Sequence, residues 1–147
     1  MARYTVGGRA TIAGSATLPL VSVYAVATSA PKLREVHFFN TTSTGGFTVA
    51  LCRLSTTGTQ GAGLTEVQHD PSTSPPLCTG FAGHTVAPTL VDMGYRKTVA
   101  AAIGDGVIWT FPDSPPPTVV LGTGNGLGLY VPNGTGQILD YVLVWEE

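Results

Sequence analysis

Charge is what this sequence has least of. Asp, Glu, Lys and Arg make up only 11% of its 147 residues, with a formal net charge of −2, against roughly 25% charged residues in an ordinary soluble domain. A surface that neutralises phosphates needs clustered Lys and Arg, so nucleic acid is not expected as a direct partner. No apolar run approaches the roughly 18 residues of a spanning helix, so no membrane association is expected. Met1-Ala2-Arg3-Tyr4 leads into Thr and Gly rather than the apolar stretch of a secretory leader, and synthesis in a cytoplasm is the expectation. There are two cysteines, Cys52 and Cys78. They could pair across the fold, but without a secretion signal they are expected as buried free thiols.

Catalytic patterns are equally scarce. His37, His69 and His84 are 32 and 15 positions apart, with none of the close spacings by which one strand or helix offers two metal ligands. Glu66, His69 and Asp70 crowd one loop, yet no Gly-x-Ser-x-Gly elbow supplies a nucleophile, and a triad is defined by geometry rather than by its residue types. Of the nine acidic residues, Glu146 and Glu147 are terminal, while Asp70, Asp92, Asp105 and Asp113 adjoin loop residues. Asp140 is the lone charge of the last apolar run and calls for a cross-strand Arg or a partner from another subunit, with Arg53 a candidate. Gly122-Thr123-Gly124-Asn125-Gly126 lacks the Lys-Ser/Thr of a phosphate loop and precedes a strand, so it reads as a turn. No enzyme activity, cofactor or metal is expected.

What the chain does have is Thr and Gly, 21 and 19 of them, the first suited to strands and the second to turns. Strands are predicted at 18–27, 32–40, 47–54, 64–69, 78–86, 107–111 and 118–121, while 95–103 fits a helix or a strand. The strongest local signal is the C-terminal one. Two apolar runs flank Pro132-Asn133-Gly134-Thr135-Gly136, and Asn-Gly between such runs predicts a hairpin. The segments 32–40 and 47–54 form a second expected pair.

The last run is apolar on both faces: Ile138, Val142 and Val144 on one, Leu139, Tyr141, Leu143 and Trp145 on the other. Such a strand needs cover on both sides, from outside its sheet or from a second subunit. Trp109, Phe111, Tyr130, Tyr141 and Trp145 are therefore the candidate subunit-interface anchors, since buried aromatics contribute most there. They also suit a sugar-binding platform. Some nine to eleven short strands with turn signals about every ten residues predict an all-β antiparallel sandwich or barrel. Residues 1–14 are expected as an N-terminal arm or a bulged edge strand around Gly7-Gly8, and 15–147 as one domain.

A short, Thr/Gly-rich, charge-poor all-β chain ending in LYVPNGTGQILDYVLVWEE resembles the decoration or cement proteins on the heads of tailed bacteriophages. The resemblance implies a two-sheet, jelly-roll-like sandwich, a homotrimer over a local symmetry axis, and the major capsid protein as partner on the virion surface. Within that reading Arg3, Tyr4 and Arg9 are the candidate capsid contacts, on an arm that orders on docking. A receptor- or carbohydrate-binding module of a fibre or tail tip is the alternative.

Overall fold

The computed structural model describes residues 1–42, 44–112, 115–134 and 137–147. Ser43, Asp113, Ser114, Thr135 and Gly136, all expected in loops, lie outside the described residues. Ten strands run in order: β1 Arg3–Arg9, β2 Val21–Tyr24, β3 Lys32–Asn40, β4 Phe47–Leu54, β5 Val67–Gln68, β6 Thr79–Ala82, β7 Leu90–Val99, β8 Gly106–Thr110, β9 Gly126–Tyr130 and β10 Leu139–Glu146. They form two five-stranded sheets, β5-β1-β10-β3-β8 and β6-β2-β9-β4-β7, called here the first and second sheet. All pairings are antiparallel. The expected all-β sandwich is the observed architecture. Residues 95–99 belong to β7, so the helix alternative at 95–103 does not arise, while 118–121 contributes only a Lys32–Thr118 bridge.

The topology is a jelly roll. β1 pairs with β10, β2 with β9, β3 with β8 and β4 with β7, so the chain's first half lies along its second half as one long ribbon. Rolling that ribbon brings β10 beside β3 and β9 beside β4. Apart from β6 and β7, which share the second sheet, successive strands alternate between sheets, and their inward faces make one core. Its largest wholly buried members include Trp145, Phe38, Phe47 and Leu20.

This order corrects the two local pairings expected from sequence. β9 and β10 lie in different sheets, as do β3 and β4. The Asn-Gly turn is present, with Gly134 at φ 58° and its N–H donating to the Val131 carbonyl at 2.9 Å. It closes an arch between the sheets instead of a hairpin, because β9 already has β2 and β4 as neighbours and β10 has β1 and β3.

The N-terminal residues are also not a free arm. β1 lies between β5 and β10, and its register with β10 is unbroken from Arg3↔Glu146 to Arg9↔Asp140, with no bulge at Gly7-Gly8.

The second sheet has a buried outer face as well, where Tyr24, Ala50, Cys52, Leu54 and Tyr130 cluster with Phe81 and Leu90 packed on them. The long connection between β4 and β7 roofs it. The Tyr24 hydroxyl donates to the carbonyls of Thr56 and Thr57 at 3.2 and 3.4 Å, and His84 Nε2 meets Ser22 Oγ at 2.9 Å. The roof is tied to itself, Ser55 N–H to Thr89 O and Thr85 N–H to Thr59 O. In the second sheet, strands apolar on both faces therefore find their cover within one chain.

That changes the assignment of three expected interface residues. Trp145 is wholly buried, Tyr141 is 2% exposed and Tyr130 is 5% exposed. The first two point inward with Leu139 and Leu143 into the core, and Trp145 lies 5.9 Å from the Tyr4 ring. None of the three offers a partner appreciable surface. Trp145→Ala should lower unfolding free energy by about 3–5 kcal/mol in urea titrations, the cost of a large core deletion. A cost near zero would return Trp145 to the surface.

Candidate binding surface at the open edge

The outer face of the first sheet has no roof. Opposite the inward residues of β10 lie Asp140, Val142, Val144 and Glu146, in register with Arg9, Gly7, Thr5 and Arg3 on β1 and, through β3, with Ile108 and Thr110 on β8. Val67 and Ile108 are 59% and 52% exposed on it. Its charges are paired off. Arg9 bridges Asp140 at 2.8 Å, His37 meets Glu35 at 2.9 Å and Arg3 holds Glu146 at 2.8 Å. Asp140 thus has its cross-strand arginine, Arg9 rather than Arg53.

This face continues round the β8 edge into a groove. β7 and β8 are the edge strands of the two sheets on one side of the sandwich. Between them opens a cavity of about 330 Å³ lined by Tyr95, Ile108, Trp109, Thr110, Phe111, Pro112 and Pro115. Trp109 is opposite Val36 and so faces between the sheets, meeting Phe38 edge-on at 5.0 Å. Tyr95 reaches across from β7, 5.1 Å from Phe111 and 6.3 Å from Trp109.

Tyr95 gets there through a bulge. Ala50 pairs with Arg96 and Cys52 with Asp92, so Met93, Gly94 and Tyr95 stand opposite Leu51 alone. Gly94 has φ 82°, where L side chains are strained, and bulges at sheet edges re-aim side chains in this way. The turn is held by Gly94 N–H donating to Asp92 Oδ1 at 2.6 Å and by Arg96 donating to Asp92 Oδ2. Burial pushes the Asp92 carboxyl up, but bonds from Tyr130, Gly94 and Arg96 outweigh it and leave it below its ordinary value. The bulge and the exposed Arg96 and Lys97 also blunt β7 against pairing with a foreign strand.

A second cavity of about 240 Å³ adjoins the groove through Thr110, Phe111 and Pro112 and is walled by Arg3, Arg34 and Glu35. Behind it Glu146 accepts from Arg3 at 2.8 Å and from Arg34 at 2.6 Å. Burial raises the Glu146 carboxyl, while the hydrogen bonds and charges of the two arginines together take it below the usual 4.5.

The candidate residues from sequence thus divide. Trp109 and Phe111 meet in the groove, Phe111 itself 8% exposed; Tyr130, Tyr141 and Trp145 are elsewhere and buried. The three expected capsid contacts are engaged within the chain: Arg3 with Glu146, Arg9 with Asp140, and Tyr4, 3% exposed, donating its hydroxyl to Ser74 O at 2.8 Å. Tyr95 was missed. Its sign in the sequence is Gly94 inside a strand-like run, which marks a bulge.

The remaining chemistry is dispersed. His69 Nε2 contacts Thr5 Oγ1, the Asp70 carboxylate accepts from Ser72, and Glu66 accepts from Gly80 N–H. Ser22 and His84 meet but are both 0% exposed, and burial pushes the His84 imidazole below its ordinary value against a bond to the Thr57 backbone. Cys52 and Cys78 are free and buried. Burial first, then Asp92 for Cys52 and Glu147 for Cys78, pushes each thiol up to about 12. Among the described residues no His, Cys, Asp and Glu group of three or more is placed to hold a metal ion. Comparison with protein-family models, with curated proteins and with solved structures finds no match to this chain.

Gly94→Ala should cost about 1–2 kcal/mol, although nothing lies within 4 Å of the added Cβ, because the penalty is backbone strain; an unchanged urea midpoint would contradict this. The Glu146 carboxyl sits below its unfolded value, so its stabilisation is complete above about pH 4.5 and is lost as pH falls through the folded value. Glu146→Gln should flatten that part of the acid stability profile, and a profile parallel to wild type would show that the arginine pairs do not set it.

Proposed function

We propose that this chain is a non-enzymatic virion structural protein, a jelly-roll module that decorates and braces the outside of a capsid as a homo-oligomer. The observation that carries the reading is the asymmetry of the two outer faces. One is roofed by the chain's own loops, while the other is open, poor in unpaired charge and bordered by the Tyr95–Trp109–Phe111 groove. An open face whose charges are paired within the chain, with an aromatic margin, suits a docking surface. A sandwich fold serves many functions, so the capsid rests on the sequence's likeness to decoration proteins, and the trimer is the state that likeness implies.

The major capsid protein is the proposed partner, met by several copies at once so that weak contacts add. A second reading is a carbohydrate- or receptor-binding module of a fibre or tail tip. Its support is the 42% exposed Tyr95 ring beside Trp109 and the Thr110 hydroxyl, a stacking surface with few groups to recognise sugar hydroxyls.

Light scattering at micromolar concentration should give a mass above the monomer's, and the protein should co-sediment with capsids. A monomer that stays in the supernatant would end the decoration reading. Specific signals on a glycan array, without capsid binding, would favour the second.

A further inference from the structure

The groove has hydrogen-bond donors that no described residue receives. Among the described residues neither the Trp109 indole N–H nor the Tyr95 hydroxyl makes a hydrogen bond within the protein, and none of the described residues that line the cavity is charged. The occupant that fits is apolar and brings carbonyl acceptors but few N–H groups. Proline-containing extended segments have that character, and aromatic grooves recognise them.

The chain carries such a segment on its surface. Residues 70–77 join β5 to β6, with Pro71, Pro75 and Leu77 exposed and Pro76 partly so. Pro75 and Pro76 have no N–H, and that of Leu77 is already given to Glu147 at 3.0 Å. The tip therefore shows rings and carbonyls, the complement in partial charge of the groove. It is held ready, too: Tyr4 donates to Ser74 O at 2.8 Å and Gln68 Nε2 to Thr73 O at 2.5 Å. A segment ordered before binding loses less entropy on docking.

The topology forbids the contact within one molecule. β5 and β6 are the terminal strands of the two sheets on one side of the sandwich, and β8 and β7 the terminal strands on the other. We propose that Pro75-Pro76-Leu77 of one copy seats in the Tyr95–Trp109 groove of the next. The contact is head-to-tail, and such contacts close into a ring where the rotation between copies allows it and otherwise propagate as a filament. This inference rests on the homo-oligomer reading above and names the surfaces that build the oligomer.

Two variants test it. Pro75→Ser with Pro76→Ser restores N–H groups to the loop, and Tyr95→Ala removes one wall of the groove. By sedimentation velocity each variant alone should run as a monomer, and their equimolar mixture should form a heterodimer, since each supplies the surface the other lacks. A synthetic peptide of residues 70–77, added to the loop variant with its groove intact, should shift Trp109 emission to the blue and saturate; Trp145, the other tryptophan, is wholly buried. Variants that associate as wild type does would overturn the loop-in-groove contact and leave the homo-oligomer standing. A monomeric wild type would remove both. A mixture that stays monomeric, with no peptide response, would overturn the contact as well.

Discussion

The pairing of the chain's first half with its second is the constraint on which this structure depends. Once β1 lies on β10, β2 on β9, β3 on β8 and β4 on β7, rolling the ribbon settles the rest. Successive strands other than β6 and β7 alternate between the sheets, β7 and β8 become adjacent open edges, and the β5–β6 loop is carried to the far side. The groove and the proline tip are both products of that roll. Neither belongs to any one segment of sequence.

The second consequence concerns what hydrophobicity means in this protein. Runs such as 18–27 and 138–145 are apolar on both faces, which on its own suggests cover by another subunit. In the fold the long β4–β7 connection provides that cover for the second sheet, with Tyr24, Ser22 and His84 tying it down. Glycines on β9 make room beneath it: a Cβ at Gly126 would fall 2.8 Å from the Tyr24 ring, and one at Gly128 would fall 2.9 Å from the Val21 carbonyl. The charge-poor composition thus reflects Thr- and Gly-rich loops serving as a roof, and the surface left for partners is the first sheet's outer face and the β7–β8 edge.

At that edge, strain and charge work together. The Asp92 carboxylate binds Gly94, Arg96 and Tyr130, so the bulge that delivers Tyr95 is anchored by the same side chain that joins β7 to the roofed face. Glu146 does similar work on the other side of the groove, drawing Arg3 and Arg34 together. The charges of Asp92 and Glu146 thus serve to position strands. That leaves an aromatic surface that is firm without being charged.

Strand content, the sandwich class and the turn at Asn133-Gly134 were determined by the sequence alone, because alternation and positive-φ residues act over a few positions. Even Asp140's need for a charge partner was legible, though not that Arg9 of the same chain supplies it. Tertiary structure alone decided which strands pair, since an arch and a hairpin share the same turn residues and differ only in whether the flanking strands already have neighbours. It decided that Trp145 and Tyr141 serve the core, that Tyr4 pins a loop, and that Tyr95 joins Trp109 and Phe111. Those outcomes depend on contacts between residues far apart in the chain, about which local pattern carries no information.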